Sequence, residues 1–598
     1  MAGKAYAGFF GLPEGMNSGI DSKLIKDTAY ARGNNVSVRG GFVETRGGFV
    51  QEYTFVTEGN CRGAGVWRLN SGDYIVAVIG NTVEIYSVET KVNYIFSPYL
   101  VSGTQCFMEQ IDRWFCIQDG ASRPIVFALD ATDVPVVYGT TSPLVCYPVS
   151  TIMKYAHGRT HMVPLITPAG TPDPDVSPDV IPDDSSPAEN GRTLFVSSDI
   201  RDNLNPEYVF RMGEHRAVSG GGAITLPLEA GFIGGMGLLR SAPTGTGVGP
   251  LVILGRDGVS AFDIAVPRSQ WFSTGGLGQV LFRHSGTRSP WSVVELGDDL
   301  AYIDGTGNVR TLRYDVSALS GGALTNRPMS NEMRYFVETQ SMLYLNRVSA
   351  AAWDNRFAWT MHGDADYRYK GIGVLDVSIL YSLTASGEPP AYYGIWTGFS
   401  VYQVLQARWS NVERLYCVAK TANGFCALLR NDDTAATDPN DTPILSTIVT
   451  GAYSLATDGV ATTTDVKRLD YADLWLSNIK RDTELQLYYR PNGYEAWTLM
   501  GSKTIHVPGG PAQYRRQVRI SLDQSQAACN HVDMKPLNVS DRFQFMIRWR
   551  GWCRIEAFRP IASRVSEEDP DICAEDNSEG AELPVDTLDP DFDYEVTL

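Results

Sequence analysis

The feature that most constrains the fold of this chain is a recurring pair of apolar strands joined by a short turn of Gly, Asp or Asn. Two alternating apolar runs with such a turn between them are typical of a β-hairpin. Six hairpins of this kind occur, at residues 74–86, 113–129, 250–264, 300–315, 356–377 and 414–430. Convincing amphipathic helices are almost absent. We therefore predict a mostly β protein built around an irregular β-propeller of about six blades, with a stacked pair of β-sandwiches as the alternative.

The chain is long enough for several domains, because its 598 residues exceed what one hydrophobic core usually covers. We predict an N-terminal arm and hairpin at 1–60, the propeller body at 61–464, a C-terminal antiparallel β-sandwich-like module at 465–565 and an acidic tail at 566–598. The C-terminal module is predicted from strongly alternating strands. No apolar run approaches the roughly 18 residues of a membrane span, and the N-terminus lacks the pattern of a signal peptide. We therefore expect a soluble protein without a membrane span, made in a cytoplasm.

The net charge of −18 is concentrated in two segments. The tail after Arg564 holds 13 acidic residues and no Lys or Arg, and the stretch between Arg159 and Arg192 holds six acidic residues and no base. The rest of the chain, with 49 acids and 50 bases, is nearly neutral. This distribution argues against a nucleic-acid reader with a basic stripe, and equally against a uniformly acidic surface.

Both acidic segments are predicted to lie outside the packed cores. Residues 166–191 are rich in Pro and Asp and predict a long exposed loop or linker inserted in the propeller. The tail mixes acids with apolar residues, so it fits either a solubilising tail or an extended peptide that docks along the sheet edge of a neighbouring subunit. Six arginines make the C-terminal module locally basic, which fits either a solvated polar face or a seat for an acidic segment: Arg515, Arg516, Arg519, Arg548, Arg550 and Arg554.

No motif in the sequence predicts a reaction. Nine cysteines without a CxxC pair indicate scattered buried thiols rather than disulfides or zinc. His157 and His161 are close in sequence but lack a third ligand nearby, and GxSxG, P-loop and HExxH motifs are missing. Asp304, Asp354 and Asp364 follow strands, where aspartate is usually a turn residue, although a propeller hydrolase could place catalytic carboxylates there. We therefore predict that the protein is not an enzyme and has no catalytic, metal or cofactor site.

The glycine-rich stretch at 11–49 predicts an arm with one short helix and one hairpin. Asp21 and Ser22 fit the N-cap of a helix with the sequence SKLIKDTAYAR. An extended run begins at Val36, a glycine pair at residues 40–41 fits a tight turn, and the chain returns through residues 42–46. Because the stretch has few apolar residues, we expect it to pack against its own body or a neighbouring subunit.

This opening stretch also carries a resemblance to a known family. The residues that carry it are Gly15, Gly19, Asp21, Asp27, Ala31, Arg32, Asn35, Gly40, Gly41, Thr45 and Arg46. In order and spacing they resemble the N-terminus of bacteriophage tail tubular (nozzle) proteins of short-tailed phages, and they are similar to related packaged-DNA stabilisation and tail-hub proteins. The resemblance continues through the strand pairs at 74–86 and 110–126 and beyond them holds only by architecture. The Pro/Asp-rich insertion and the basic C-terminal module have no clear counterpart.

The resemblance implies a structural virion protein of the phage tail. Such proteins form a sixfold homo-oligomeric ring, a nozzle or hub, around the DNA channel, where they close the portal and adaptor assembly, retain the packaged genome and conduct it at ejection. Double-stranded DNA would pass without sequence-specific contact. The assembly-interface residues that this implies are Asp21, Arg32, Asn35, Arg39 and Arg46. The alternatives are a receptor-binding or carbohydrate-active propeller at the tail tip and a non-viral scaffold propeller.

Overall fold

The computed structural model describes the chain in segments that together cover most of its length. They are residues 4–97, 105–121, 124–138, 147–164, 193–212, 222–240, 249–264, 271, 279–283, 285–297, 299–312, 328–341, 344–364, 367–378, 390–457, 461–507, 516–522, 536–565 and 582–583. The Pro/Asp-rich insertion at 166–191 and nearly all of the acidic tail lie outside these residues. Among the described residues, no helix is both long and apolar enough to cross a membrane.

The N-terminal residues form seven strands that are shared among different sheets. Their bounds are β1 (Lys4–Tyr6), β2 (Phe9–Phe10), β3 (Gly15–Met16), β4 (Ala29–Asn34), β5 (Val36–Ser37), β6 (Val43–Thr45) and β7 (Gly48–Glu58). β5 and β6 pair antiparallel as a hairpin. The helix predicted after Asp21 is wrong, since only a single 3-10 turn forms at Ser22–Leu24 and the chain then enters β4. Pairing of β4 with three other strands overrides the helical pattern.

Four antiparallel sheets of four strands follow in chain order. The first comprises β8 (Cys61–Leu69), β9 (Gly72–Ile79), β10 (Thr82–Ser87) and β11 (Asn93–Phe96); the second β12 (Phe107–Ile111), β13 (Trp114–Gln118), β14 (Ile125–Leu129) and β15 (Pro135–Val137). The third comprises β16 (Ser150–Ala156), β17 (Arg159–Pro164), β18 (Leu194–Ser197) and β19 (Gly222–Thr225); the fourth β20 (Ile233–Leu238), β21 (Leu251–Gly255), β22 (Gly258–Phe262) and β23 (Gln279–Arg283). Each sheet is a meander in which consecutive strands are neighbours.

Three further sheets complete the series. The fifth has β24 (Val294–Leu296), β25 (Asp299–Ile303) and β26 (Val309–Thr311). A short α-helix, α1 (Arg334–Thr339), precedes the sixth, which has β27 (Ala350–Trp353), β28 (Arg356–Gly363), β29 (Tyr369–Asp376) and the first half of the 19-residue β30 (Ala391–Trp409). The second half of β30 starts the seventh sheet, which continues through β31 (Val412–Lys420) and β32 (Phe425–Asp432) and ends on the N-terminal strand β7.

The seven sheets are the blades of a closed propeller. The first strands of successive blades adjoin one another around a ring, and the second half of β30 adjoins β8 to close it. Side-chain amides connect these strands: Gln403 on β30 accepts from the backbone N–H of Ala64 on β8 and donates to its carbonyl (2.8 and 2.7 Å), and Gln110 on β12 does the same for Arg68 (2.8 and 2.7 Å). Because β7 completes the last blade, the predicted domain boundary at residue 60 separates this strand from the sheet that it closes.

The C-terminal residues form two sheets that incorporate N-terminal strands. After β33 (Thr437–Asp438) and β34 (Thr442–Pro443), the strands are β35 (Leu445–Tyr453), β36 (Lys467–Ser477), β37 (Thr483–Pro491), β38 (Trp497–Ile505), β39 (Arg516–Ser521), β40 (Val539–Ser540), β41 (Phe543–Arg550), β42 (Arg554–Arg564) and β43 (Glu582–Leu583). One sheet runs β39, β36, β42, β6, β5, with β1 and β2 also on β42. The other continues from the sixth blade through β30, β3, β4, β35, β41, β37 and β38 to β43. The N-terminal segment therefore lies between the propeller and the C-terminal strands.

The core is continuous across this junction. Tyr30 of β4, Trp396 of β30, Phe545 of β41 and Phe558 of β42 belong to one buried hydrophobic cluster that reaches from the propeller into both C-terminal sheets. The six cysteines in the described part of the chain are buried and unpaired, as the sequence predicted for all nine: Cys61, Cys106, Cys116, Cys417, Cys426 and Cys553.

Candidate functional site

Arg46 is the best-buried charged residue of the N-terminal segment. Its guanidinium donates to both carboxylate oxygens of Asp438 (2.8 and 2.7 Å), and neither side chain is more than 2% exposed. It also donates to the carbonyls of Gly47 (3.0 Å) and Thr397 (3.2 Å), and its Nε donates to the side-chain oxygen of Asn35 (2.9 Å). All of the donating groups thus have partners within the chain, which ties the turn before β7 to the propeller and to β33.

Asn35 is the second member of this network. Its backbone φ of 54° lies in the left-handed region that asparagine tolerates better than most residues. In this conformation the side-chain oxygen accepts from Thr397 N (2.8 Å) as well as from Arg46, while its amide donates to the carbonyl of Leu445 (2.9 Å). One residue therefore joins β30, β35 and Arg46 at the point where β4 passes into β5.

Arg39 lies at the tip of the β5–β6 hairpin and reaches the sixth blade. It pairs with the Asp354 carboxylate, donates to the Asp354 carbonyl (2.9 Å) and lies 3.6 Å from an Asp376 carboxylate oxygen. Arg356 pairs with the same Asp354 (3.2 Å) and with Asp433 (2.8 Å). The hairpin is thereby tethered to two blades by a small ion-pair network.

Asp21 and Arg32 lie apart from these contacts. The Asp21 carboxylate accepts from the Lys23 backbone N–H (2.8 Å), which is the capping role that the sequence predicted. The Arg32 guanidinium lies 3.5 Å from the centre of the Tyr335 ring. Burial, together with the charge of neighbouring Arg32, lowers the pKa of the Arg490 guanidinium to about 10.

The structure therefore brings together only part of the predicted interface set. Asn35 and Arg46 touch each other inside the chain, Arg39 binds the sixth blade, and Asp21 and Arg32 lie nearer the surface. Their role in contacts between subunits stays a prediction. Asp438, the partner of Arg46, lies 392 positions away in the chain, and no local pattern in the sequence marks a partner at that separation.

The propeller ring encloses a cavity of about 680 Å³ lined by residues from all seven first strands. Its charged groups are largely paired across neighbouring blades: Lys154 with Glu109 (3.3 Å) and Arg240 with Glu295 (3.0 Å). The Glu109 carboxylate raises the pKa of Lys154. Lys154 and Arg240 are thus each neutralised by a carboxylate of a neighbouring blade.

The aspartates considered as catalytic candidates have structural partners. Asp304 accepts from the backbone N–H groups of Thr306 (2.8 Å) and Asn308 (3.0 Å) and pairs with Arg310 (2.6 Å), which confirms that it is a turn residue. Asp364 lies 3.7 Å from Lys370. Within the described segments, no group of three or more His, Cys, Asp or Glu side chains is placed to hold a metal ion.

The buried histidine of the third blade is a packing residue with a defined tautomer. His161 is fully buried, its Nδ1 lies 2.8 Å from the Ser197 hydroxyl and its Nε2 lies 3.2 Å from the Ala156 carbonyl. A carbonyl can only accept, so Nε2 carries the proton and Nδ1 accepts from Ser197. Burial lowers the pKa of His161 to about 3.

A large groove lies between the N-terminal and C-terminal strands. This terminal groove, of about 890 Å³, is lined by residues 6–10 of the N-terminus, by the turn after β3 and by β35, β36 and β42. Phe10 is 78% exposed and Tyr6 is 51% exposed. A neighbouring cationic cleft of about 500 Å³ lies around Arg490 and shares Lys23 and Arg542 with the groove.

Comparison with known proteins yields no family. No family model and no curated protein matches the chain. Among solved structures, it is similar to a chain of the mitotic checkpoint complex (9% identity, 66% of this chain and 95% of that chain, TM-score 0.34) and to the Cps50 (Swd1) β-propeller domain of Myceliophteria thermophila (9%, 64% and 100%, TM-score 0.32). It is also similar to BBS1N in complex with ARL6DN (10%, 65% and 99%, TM-score 0.31). With scores at this level, the assignment of a propeller rests on the sheet topology described above.

Proposed function

We propose that this protein is a non-enzymatic structural subunit of a phage tail that forms a ring, as a nozzle or hub, around the DNA channel. In this role it retains the packaged genome and conducts it at ejection, and its partners are further copies of itself, adaptor or portal proteins, and the DNA that passes through. The proposal rests first on the N-terminal residues that resemble tail tubular proteins.

The structural observation that carries the proposal is the position of those residues. They form a strand between β30 and β35 and a hairpin held by buried Arg46, so propeller and C-terminal sheets form one hydrogen-bonded body. A ring that confines DNA under load needs walls that do not flex at domain boundaries. A sheet that continues from the sixth blade to β38 supports such a wall better than a flexible linker would.

The propeller cavity also supports a structural role over catalysis. The Glu295 carboxylate in this cavity lies 3.0 Å from the Arg240 guanidinium. The Asp354 carboxylate pairs with both Arg39 and Arg356. A glycosidase needs two carboxyl groups whose protonation states differ and which face the substrate. Carboxylates that are ion-paired with arginines stay ionised and are not free to act on a substrate, which favours a scaffolding role over a glycosidase.

Electron microscopy of the native assembly is the direct test. We expect negatively stained particles to show sixfold rings of this chain around a central channel. A matched pair of variants tests the predicted interface: Arg32→Glu should abolish rings while the subunit remains folded, and Arg256→Glu, on an exposed turn of the fourth blade, should leave them intact. A monomer that hydrolyses or binds a glycan would overturn the proposal in favour of a tail-tip propeller.

A further inference from the structure

The described part of the acidic tail, β43, has a direction that its strand pairing defines. β43 pairs antiparallel with β38, with Leu583 opposite Trp497 and Glu582 opposite Thr498. In an antiparallel pair, moving forward along one strand means moving backward along the other. The carboxyl end of β43 at Leu583 therefore faces residues 490–496, which precede β38.

Those residues form the cationic cleft. Arg490 and Glu495 line it, together with Lys23 and Arg542, which it shares with the terminal groove. The Arg490 guanidinium donates to the Gln544 side-chain oxygen (2.9 and 2.6 Å) and to the Glu495 carbonyl (3.1 Å), which are neutral acceptors. Its lowered pKa reflects a cation that is desolvated and close to Arg32. Among the described residues, Glu495 is the only carboxylate that lines the cleft, beside the three cations Lys23, Arg490 and Arg542, so a further carboxylate entering it would gain charge-assisted hydrogen bonds.

Beyond the cleft, the terminal groove presents aromatic side chains beside further cations. Phe10 and Tyr6 are exposed, Trp475 is half-buried, and Arg559 lies 5.0 Å from the Trp475 ring. Across both cavities the side chains comprise four cations (Lys23, Arg490, Arg542 and Arg559) and three carboxylates (Asp27, Glu495 and Glu556). The two adjoining cavities thus combine exposed aromatic side chains with polar groups and a positive excess of one charge.

The residues after Leu583 match this surface in composition and length. Their sequence, PVDTLDPDFDYEVTL, alternates five acids with six apolar residues and contains no base. Fully extended, such a segment spans up to about 50 Å at ~3.3 Å per residue, which is enough to cross the cleft and enter the groove. We propose that residues 584–598 bind along the cationic cleft and the terminal groove of their own chain, with acids on the arginines and aromatics against Phe10 and Trp475. This docking is independent of ring formation, because both partners belong to one chain.

Photocrosslinking in the full-length protein tests the docking. With p-benzoylphenylalanine in place of Phe592, we expect crosslinks at the mass of a single chain that map to peptides containing Phe10, Trp475 or Arg542. Mixing isotopically heavy and light protein separates the possible sources. Heavy–light crosslinks would show that the tail of a second copy occupies the groove, and crosslinks elsewhere, or none, would show that the groove is not its seat. Each of these outcomes overturns the proposal.

Charge variants provide a control on folding. Arg542→Glu should reduce the crosslink yield by about tenfold, which is the loss expected when one charge-assisted contact is removed. Arg542→Lys should retain most of the yield, and Arg256→Glu, in the fourth blade, should leave it unchanged. Circular dichroism of each variant confirms that the fold is retained. Equal yields from all variants would refute the role of the cationic cleft.

Discussion

At the scale of single residues, the Arg46–Asp438 pair is the contact whose loss should destabilise the protein most. Both side chains are buried and joined by two short hydrogen bonds. Arg46→Met leaves the Asp438 carboxylate without its cation in the interior, and breaking a buried pair in this way costs about 3–5 kcal/mol. We expect urea titration to show a loss of this size in the free energy of unfolding.

The double variant Arg46→Met/Asp438→Asn should recover part of this loss, because it removes the buried charge as well. Arg39→Met is the matched control on the same hairpin, since Arg39 and its nearer partner Asp354 are 39% and 49% exposed and the buried Asp376 lies farther away, at 3.6 Å. Partly exposed pairs typically contribute about 0–1 kcal/mol. Equal losses for Arg46→Met and Arg39→Met would contradict the distinction drawn from burial.

Two buried histidines predict that stability falls on the acid side. Burial lowers the pKa of His161 to about 3 and that of His362 to about 4, from 6.5. The folded state therefore holds both rings neutral, and their contribution is fully present above pH 6.5 and is lost as the pH falls toward the folded-state values. At pH 5 each should reduce stability by about 2 kcal/mol relative to pH 7. His161→Asn should flatten the decline in unfolding free energy between pH 7 and 5, and an unchanged slope would contradict this account.

The contacts of Arg46 and Asn35 could not be predicted from the sequence alone. Arg46 and Asn35 stand out as polar residues in a glycine-rich stretch, and both form hydrogen bonds within the chain. Their partners come from β30, β33 and β35, far along the chain, so only the three-dimensional pairing reveals that the contacts are internal.

At the scale of elements, Gly48 tests how the propeller closes. It is the first residue of β7, and a Cβ there would lie 1.9 Å from the Thr437 carbonyl oxygen, a backbone atom that cannot rotate away. Gly48→Ala should therefore displace the start of β7 and expose the seventh blade, at a cost of about 1–3 kcal/mol. Hydrogen exchange should rise in β7 and β32. Gly305→Ala, where the nearest atom is 3.5 Å away, should leave exchange unchanged.

The alternating apolar pattern of the sequence predicts hairpins with a local turn, but it does not predict every blade of the propeller. All six predicted hairpins are confirmed as pairs within blades, because each has two apolar strands and a local turn. The third blade is not among the predicted hairpins: the insertion at 166–191 separates its middle strands β17 and β18, and its local β16–β17 hairpin around Gly158 does not stand out in the sequence. β7 has no local partner that would mark it as a blade strand in the sequence, because it pairs with β32, more than 350 residues later in the chain.

At the scale of the whole molecule, the chain outside its two acidic segments has a net charge close to zero. This charge determines how strongly a ring of such subunits would bind DNA. A protein that neutralises 6–10 phosphates loses roughly 10³–10⁵ in affinity between 50 and 200 mM salt, because binding releases condensed counterions. A lumen lined by neutral or acidic surface makes few such contacts, so DNA could slide through without being held by charge.

We therefore expect assembled rings to bind a double-stranded DNA fragment weakly, with an affinity that changes by less than about threefold over that salt range. Fluorescence anisotropy of a labelled duplex at several salt concentrations measures the slope. Rings in which a neutral Gly/Ser linker replaces residues 166–191 test whether that acidic insertion faces the channel. If the salt dependence of DNA binding is steeper in this variant than in the unmodified ring, the carboxylates of the insertion lie near the phosphates. A steep salt dependence of DNA binding to the unmodified ring would indicate a basic lumen. Such a lumen would bind the DNA tightly, which contradicts a role in conducting it.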